Sequence, residues 1–336
     1  MRVLAIGATG FLGPHIVRRL VRSGHEVAVL HRGRTDADLP AGVTRIVGDR
    51  GALARALPEV GRFGPEVVLD VVPYTERQAR AVADVFGGLA WRLVALSSAD
   101  VYRNYDGLRG RSSAPPDPTP LAEGAPLRET RFPYRGAGLG ETWAEDYDKI
   151  PVERVVLGTP GLTGTVLRLP AVWGPGDRQR RLRPYLQRMD DGRPAVLLSH
   201  AQAGWRWTRG YVENVAAAVA LAVADDRAAG RVYNVGERSA PTEREWVAAI
   251  GRAVGWAGRV VAVPAERLPR PLRQPLDFRY GLATDTGRIR EELGFEEPVA
   301  LGESLARTAS WERSLRDGAG RPDYTAEDAV LAELGP

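Results

Sequence analysis

Short runs of consecutive apolar residues alternate along this chain with stretches in which apolar residues recur every three or four positions. Val3 to Ile6 form the first run. Glycines follow at once, and from Pro14 the segment PHIVRRLVRSG puts Ile16, Val17, Leu20 and Val21 on one helical face until Gly24 ends it. A second strand, HEVAVLHRG (25–33), comes next, and TRIVGDR (44–50) and PEVVLDVVPY (65–74) read as the third and fourth. WRLVALSSADVY (91–102) is an apolar strand ending in two serines. Further on, GRVYNVG (230–236) reads as another sheet strand and APTEREWVAAIGRAVG as an amphipathic helix with Thr242 and Glu245 as a capping box. Strand, glycine turn, helix, strand is the order of an α/β protein, a doubly wound parallel sheet of the Rossmann type. Two segments break the pattern. Residues 267–279 are interrupted by prolines, and 103–133 are rich in Arg, Pro and Gly, a candidate lid or an unstructured loop.

Composition narrows the chemistry. The 336 residues suffice for one large or two modest domains, and they include no cysteine, which removes disulfides, thiolate metal sites and a cysteine nucleophile. The four histidines (His15, His25, His31, His200) lack metal-ligand spacing, so no metal is expected. No apolar run reaches the roughly 18–20 residues that span a bilayer, and a strand begins directly at the N-terminus, so a cytoplasmic location without membrane contact is expected. The sequence pI of about 9.5 rests on dispersed arginines, which argues for a solvated surface over a nucleic-acid footprint. One residue stands apart: Lys149 is the only lysine among 46 Lys and Arg. A compact ammonium holds three donors in a small space and shifts its pKa on burial, which a guanidinium does not do.

The glycines gain meaning from their place between a strand and a helix. In GATGFLG (7–13), Gly7 would allow the tight turn, Gly10 the approach of a pyrophosphate, and Gly13 the packing of helix on sheet. This Gly-x-x-Gly-x-x-Gly spacing resembles the extended short-chain dehydrogenase/reductase (SDR) superfamily, in its epimerase/dehydratase group, and the resemblance runs to about residue 313. It implies a dinucleotide on Gly7, Thr9, Gly10, Phe11, Leu12 and Gly13. Asp49 and Arg50 would flank the adenine, Val71 and Val72 would run under the dinucleotide, and Leu169 and Pro170 would lie near the nicotinamide. At the end of the second strand, where NAD-binding members carry an acid, stand His31, Arg32 and Arg34. With no acid and two arginines, the 2′-phosphate of NADP is favoured over NAD.

The resemblance also implies chemistry. The Ser-Ser-x-x-Val-Tyr signature of residues 97–102 makes Ser98 the catalytic hydroxyl, and Lys149 falls where the family's ribose-binding lysine belongs. The family places its acid–base tyrosine four residues before that lysine, one helical turn away, where the ammonium lowers the phenol pKa. Glu145 occupies that position here, and Tyr147 is two residues from the lysine, which on a regular helix would be about 200° apart. Three readings stay open. The helix begins only at Asp148 or Lys149, as Pro151 favours, and Tyr147 acts from the lead-in. Alternatively, Tyr134 is the displaced tyrosine, or the acid–base group is lost and Thr142 with Glu145 caps a kinked helix.

On the substrate side, TVLRLPAVWGPGDR (165–178) resembles the sixth strand and the turn into a smaller lobe. Ala171 stands where sugar-nucleotide epimerases usually carry asparagine. Arg178 and its neighbours in RQRRLRPYLQR offer charge for a phosphate, and Arg209 matches a nucleotide-phosphate position. Trp205 and Trp207 read as pocket or core. The expected organisation is a dinucleotide domain over 1–170, with 210–236 returning to it, a substrate lobe over 171–209 and 237–320, and a C-terminal extension over 321–336. The expected function is an NAD(P)-dependent oxidoreductase or epimerase acting on a hydroxyl or carbonyl of a small molecule, a sugar nucleotide or a secondary metabolite; a homodimer is compatible with it. The alternative is a catalytically silent dinucleotide-binding protein with some affinity for RNA.

Overall fold

The computed structural model describes residues 1–35, 37–138, 140, 141, 143–315 and 322–334. Among the described residues the strands are β1 (Arg2–Ile6), β2 (Glu26–His31), β3 (Thr44–Val47), β4 (Val67–Asp70), β5 (Arg92–Ser98), β6 (Thr163–Leu169), β7 (Ala171–Trp173), β8 (Ala195–Ser199), β9 (Arg209–Tyr211), β10 (Val232–Asn234) and β11 (Arg259–Val263). Seven form one parallel sheet in the order β10-β6-β5-β4-β1-β2-β3. The order reverses beside β1, which opens a crevice beyond the carboxyl ends of β1 and β4. Register brings those ends level: Ile6 faces Leu30 on one side and Asp70 on the other, and Asp70 faces Ala95.

Period-two alternation sorts each strand's residues onto two covered faces. Val3, Ala5, Val29, Leu69 and Val94 pack with Ile16, Val17 and Leu20 of the Gly13–Arg22 helix and with the Val212–Ala224 helix. Leu4, Ile6, Leu30, Val68 and Leu93 pack on the other face with Val82 and Phe86 of the Glu76–Phe86 helix and Val152 and Val156 of the Lys149–Gly158 helix. The helix ends follow local chemistry. Pro14 sits in the first turn of Gly13–Arg22, and Gly24 leaves the helix at φ +81°. Thr75 and Gln78 close a capping box at Glu76–Phe86, and Thr242 and Glu245 close the expected one at Glu243–Val254. The fully buried Arg92 donates to the carbonyls of Val223 and Asp225 at the end of Val212–Ala224, where the helix dipole is negative.

A smaller lobe has its own apolar core, built around Trp173, Leu182, Val196, Tyr211, Trp246 and Ile250, with β8 paired to β11 and β7 to β9. The chain passes between sheet and lobe after Leu169, after Tyr211 and after Val235, and these passages are tight. A Cβ on Gly236 would lie 2.4 Å from Thr208, and one on Gly210 would lie 2.5 Å from Val215 and 3.0 Å from Pro170. The Thr325–Leu334 helix docks on this lobe through Arg188 to Glu327, Arg193 to Asp328 and Arg267 to Glu333.

The 103–133 segment is structured, unlike the unstructured loop that was one of its two expected forms. It opens with a helix, Arg103–Leu108; Arg103 and Asn104 hold Asp117, and Leu121 bridges to Thr284. Its far end is tied down by Arg128, discussed below. Beneath it lies a buried bidentate pair. Arg168 Nε and Nη2 donate to Glu153 at 3.0 and 2.8 Å, Ser97 donates to the same carboxylate at 2.5 Å, and Arg168 also donates to the Tyr102 hydroxyl. Arg168→Met leaves Glu153 buried without its charge partner, so chemical denaturation should report a loss of about 3–5 kcal/mol; a loss below 1 kcal/mol would show that the pair does not hold this end of the sheet.

Candidate active site

The loop between β1 and the Gly13–Arg22 helix carries Thr9, Gly10, Phe11 and Leu12. Gly7 takes φ +77°, and a Cβ there would sit 2.4 Å from Val72 Cγ2. A Cβ on Gly13 would sit 2.3 Å from the Ala8 backbone, whereas one on Gly10 would meet nothing within 4 Å. Helix and strand therefore approach as closely as glycine allows, and Gly10 leaves backbone open above the loop. The helix start has no side-chain cap and no acid in its first turn, so its N–H groups are free to receive an anion. A dinucleotide's pyrophosphate fits this cradle.

Around it stand the other expected contacts. His31 ends β2; its Nδ1 accepts from Gly33 N at 3.1 Å, and its buried Nε2 has no partner among the described residues. Burial and the nearby Arg45 lower its pKa, so the ring is neutral at pH 7. Arg32 and Arg34 are exposed on the following turn. Asp49 accepts from Gly51 N at 2.7 Å. Arg50 turns its guanidinium onto both oxygens of Asp70 and the Val72 carbonyl, which braces the Val71–Val72 floor of the crevice. Leu169 and Pro170, half-buried, end β6 on the other side of β5.

The lysine is buried. Lys149 Nζ donates to the Pro73 carbonyl at 2.9 Å and to the Leu96 carbonyl at 2.8 Å, beyond β4 and within β5, leaving its third N–H without an acceptor among the described residues. Burial lowers its pKa to about 8 against the opposing pull of Asp100 and Asp70. The helix begins at Lys149 itself because Asp148 caps it in extended conformation, accepting from Ile150 N at 3.2 Å. Asp148 is also held by Arg128 at 2.5 Å and Arg131 at 2.6 Å, which fixes the 128–134 segment against the helix start.

Tyr147 is thus outside the helix, with φ −64° and ψ 123°, and helical spacing does not govern it. Its hydroxyl donates to Asp100 Oδ2 at 2.8 Å. Tyr134 donates to the same oxygen at 2.9 Å, and Tyr105 donates to the Tyr134 hydroxyl at 3.1 Å. The two tyrosines that compete in the sequence converge on one carboxylate. Glu145 lies in the Ala144–Asp146 turn and accepts from Gly136 N, while Thr142 lies outside the described residues. Burial first, and Asp100 second, push the Tyr147 phenol well above its ordinary pKa, against a weaker downward pull from the Ser98 hydroxyl. Burial also raises the Asp100 carboxyl, with Arg128 and both phenols opposing. Asp100 Oδ1 is buried and has no partner among the described residues. Ser98 Oγ accepts from Asp100 N at 3.2 Å.

Asp100 and Arg128 are functional candidates that the sequence analysis did not single out. The available signal was an acid just after an apolar strand and its two serines, in the unassigned part of the Ser-Ser-x-x-Val-Tyr stretch. The substrate-side residues separate. Arg209 lines a cavity of about 350 Å³ in the smaller lobe, paired there with Glu243. Ala171 is buried in β7 and Arg178 is exposed, and neither lines that cavity. Arg180 pairs with Glu312 and Arg181 with Asp177.

This architecture is shared with solved enzymes. UDP-glucose 4-epimerase of Thermotoga maritima with UDP-glucose superposes with a TM-score of 0.66 at 18% identity, over 93% of this chain and 99% of that one. The Thermus thermophilus UDP-glucose 4-epimerase complex with NAD gives 0.63 at 24%, over 94% and 99%. Among sequence relatives, 2'-dehydrokanamycin reductase of Streptomyces kanamyceticus is 28% identical over 273 residues, 79% of this chain and 70% of that protein. The 3 beta-hydroxysteroid dehydrogenase/Delta 5-->4-isomerase of Mycobacterium tuberculosis is 26% identical over 98% of this chain and 88% of its own length. At these identities the structures speak for the fold. Membership comes from the sequence profile of the NAD dependent epimerase/dehydratase family, which matches residues 3–236, from β1 to just beyond β10; the chain belongs to that family.

Proposed function

We propose that this protein is an NADP-preferring oxidoreductase that reduces a carbonyl on a small molecule, with Tyr147 as the acid and Ser98 as a second hydroxyl on the substrate oxygen. The observation that carries this reading is the buried Tyr147 phenol, held protonated on Asp100 beside Ser98 and Lys149, where β4 and β5 end. Alcohol oxidation would need this phenol ionised, which burial and the Asp100 carboxylate oppose; kept protonated, it has a proton to give to a carbonyl oxygen as that oxygen gains charge. A relative that bears the name of a reductase is in keeping with this direction.

The bound nicotinamide would supply the hydride. The chain's own residues would supply the proton. Tyr147 Oη gives its proton to the carbonyl oxygen as that oxygen gains charge, and Ser98 Oγ steadies the same atom. Asp100, whose carboxyl is disposed to bind a proton at this depth, returns one to Tyr147 Oη, and the Tyr134–Tyr105 hydroxyls connect Asp100 to the rest of the pocket. Lys149 holds its place on the two carbonyls and offers its third N–H to the ribose. The glycine loop takes the pyrophosphate, and Arg32 and Arg34 take the 2′-phosphate.

Three measurements test this. Wild-type protein should bind NADPH at least tenfold tighter than NADH, and Arg34→Ala should weaken NADPH by roughly 10–100-fold while sparing NADH, the value of a charge-assisted hydrogen bond. Equal affinity for both cofactors would end the NADP assignment. Against a panel of aromatic, alicyclic and sugar ketones, wild type should consume NADPH, and Tyr147→Phe should lower kcat by about 10²–10⁴ with cofactor affinity retained. Turnover unaffected by that change would remove Tyr147 from the chemistry.

The third is pH dependence. Lys149 loses its proton near pH 8 in the folded protein and near 10.4 when unfolded. The rate should therefore fall as pH rises through about 8. The unfolded state binds the extra proton between those two values, so stability relative to Lys149→Met should rise across the same window. A flat difference between wild type and Lys149→Met from pH 7 to 10 would contradict the burial of a titrating ammonium.

A further inference from the structure

The cavity in the smaller lobe has a wall unlike that of a phosphate site. Four indoles line it: Trp173, Trp205, Trp207 and Trp246, with Phe278 packed edge-on to Trp205 at 5.5 Å. Three arginines also reach it, and each is matched by a buried carboxylate. Arg181 pairs with Asp177 at 2.8 Å, Arg188 with Glu327 at 2.6 Å, and Arg209 with Glu243, which the Tyr185 hydroxyl also contacts. The guanidinium of Arg209 lies over two rings, 4.6 Å from the centre of Trp246 and 5.6 Å from that of Trp207. The three cations thus bring no net charge. A diphosphate entering here would lose its hydration and meet Glu243 in the place where it needs a free guanidinium.

One polar group is left over. Trp173 Nε1 is buried and donates to nothing among the described residues. The Trp173 side chain has no exposed surface, so this N–H is not offered to a ligand, and the cavity presents ring area in place of a free donor. The cavity's volume of about 350 Å³ lies near the lower end of the roughly 300–1,000 Å³ range of small-molecule sites. One apolar cluster runs from its wall toward the tyrosines of the proposed site. Tyr105, whose hydroxyl donates to Tyr134, packs in the same apolar cluster as Trp205, Trp207 and Phe278.

From this we infer that the substrate is an uncharged, planar ring system, its ring body held against the indoles of this cavity, and that it is not a sugar nucleotide. The inference names the substrate class of the proposed redox site and rests on that reading.

The test uses the full chain preloaded with NADPH, whose binding is first verified by its own fluorescence. 2-Naphthol and UDP are then titrated separately, with affinity read by calorimetry and tryptophan quenching. 2-Naphthol should bind with quenching at least tenfold more tightly than UDP. Trp207→Leu, at a half-buried position, should weaken 2-naphthol tenfold or more and leave NADPH binding intact. Glu243→Gln should unmask Arg209 and strengthen UDP at least tenfold. Wild-type protein that prefers UDP, or that binds neither probe while holding NADPH, overturns the inference. Failure to bind NADPH at all would instead remove the proposed function, which separates the two.

Discussion

A buried ammonium has to find acceptors, and the position of Lys149 on the Pro73 and Leu96 carbonyls is the constraint around which this site is arranged. Those carbonyls belong to adjacent strand segments, so the lysine can be satisfied only where β4 and β5 run side by side and end near one level. Its helix must start there and nowhere earlier, which Asp148 achieves by capping it in extended conformation. Once the helix starts at Lys149, the chain before it is free of helical geometry, and Tyr147 can turn back toward Asp100. Arginine could not replace this residue: a planar guanidinium cannot aim one compact cluster of donors at two carbonyls with so little room.

The parts of this molecule written in local pattern were readable from the sequence. The glycine loop, the apolar strand runs and the capping box at Thr242 all depend on neighbours a few residues apart, and their order along the chain gave the parallel sheet. The lysine was also conspicuous, by being alone. What stayed open in the sequence depended on partners far along the chain. The start of the Lys149–Gly158 helix is secured by Arg128 and Arg131, about one loop away, so spacing around Tyr147 could not settle its direction. Asp100 gathers phenols from residues 134 and 147, which sequence reading treats as rivals. Arg209 was legible as a cation; its neutralisation by Glu243 was not, because Arg209 lies in β9 and that carboxylate comes from the start of the Glu243–Val254 helix.

Electrostatics divides the two halves of the site. On the dinucleotide side, the bare helix start and the exposed Arg32 and Arg34 leave positive potential available, as an anionic cofactor requires. On the cavity side each arginine is already answered. The same residue type therefore serves recognition in one place and architecture in the other, and its count along the chain says nothing about which. The dispersed basic charge that sets the pI is largely of the second kind: many of the arginines lie in pairs within the fold, among them Arg92, Arg128, Arg168, Arg188 and Arg290.

The three tight passages between sheet and lobe bear on how the molecule responds to heat and force. Two bodies joined by one flexible tether unfold separately. Here the chain threads from one body to the other at Leu169, Tyr211 and Val235, and at Gly210 and Gly236 the threads press together with no side-chain volume between them. Strand β10, the edge of the large sheet, joins only after the chain has traversed part of the lobe. Neither body can be completed without the other, so the chain should melt in a single transition, and free energy released by a ligand in one body stabilises both.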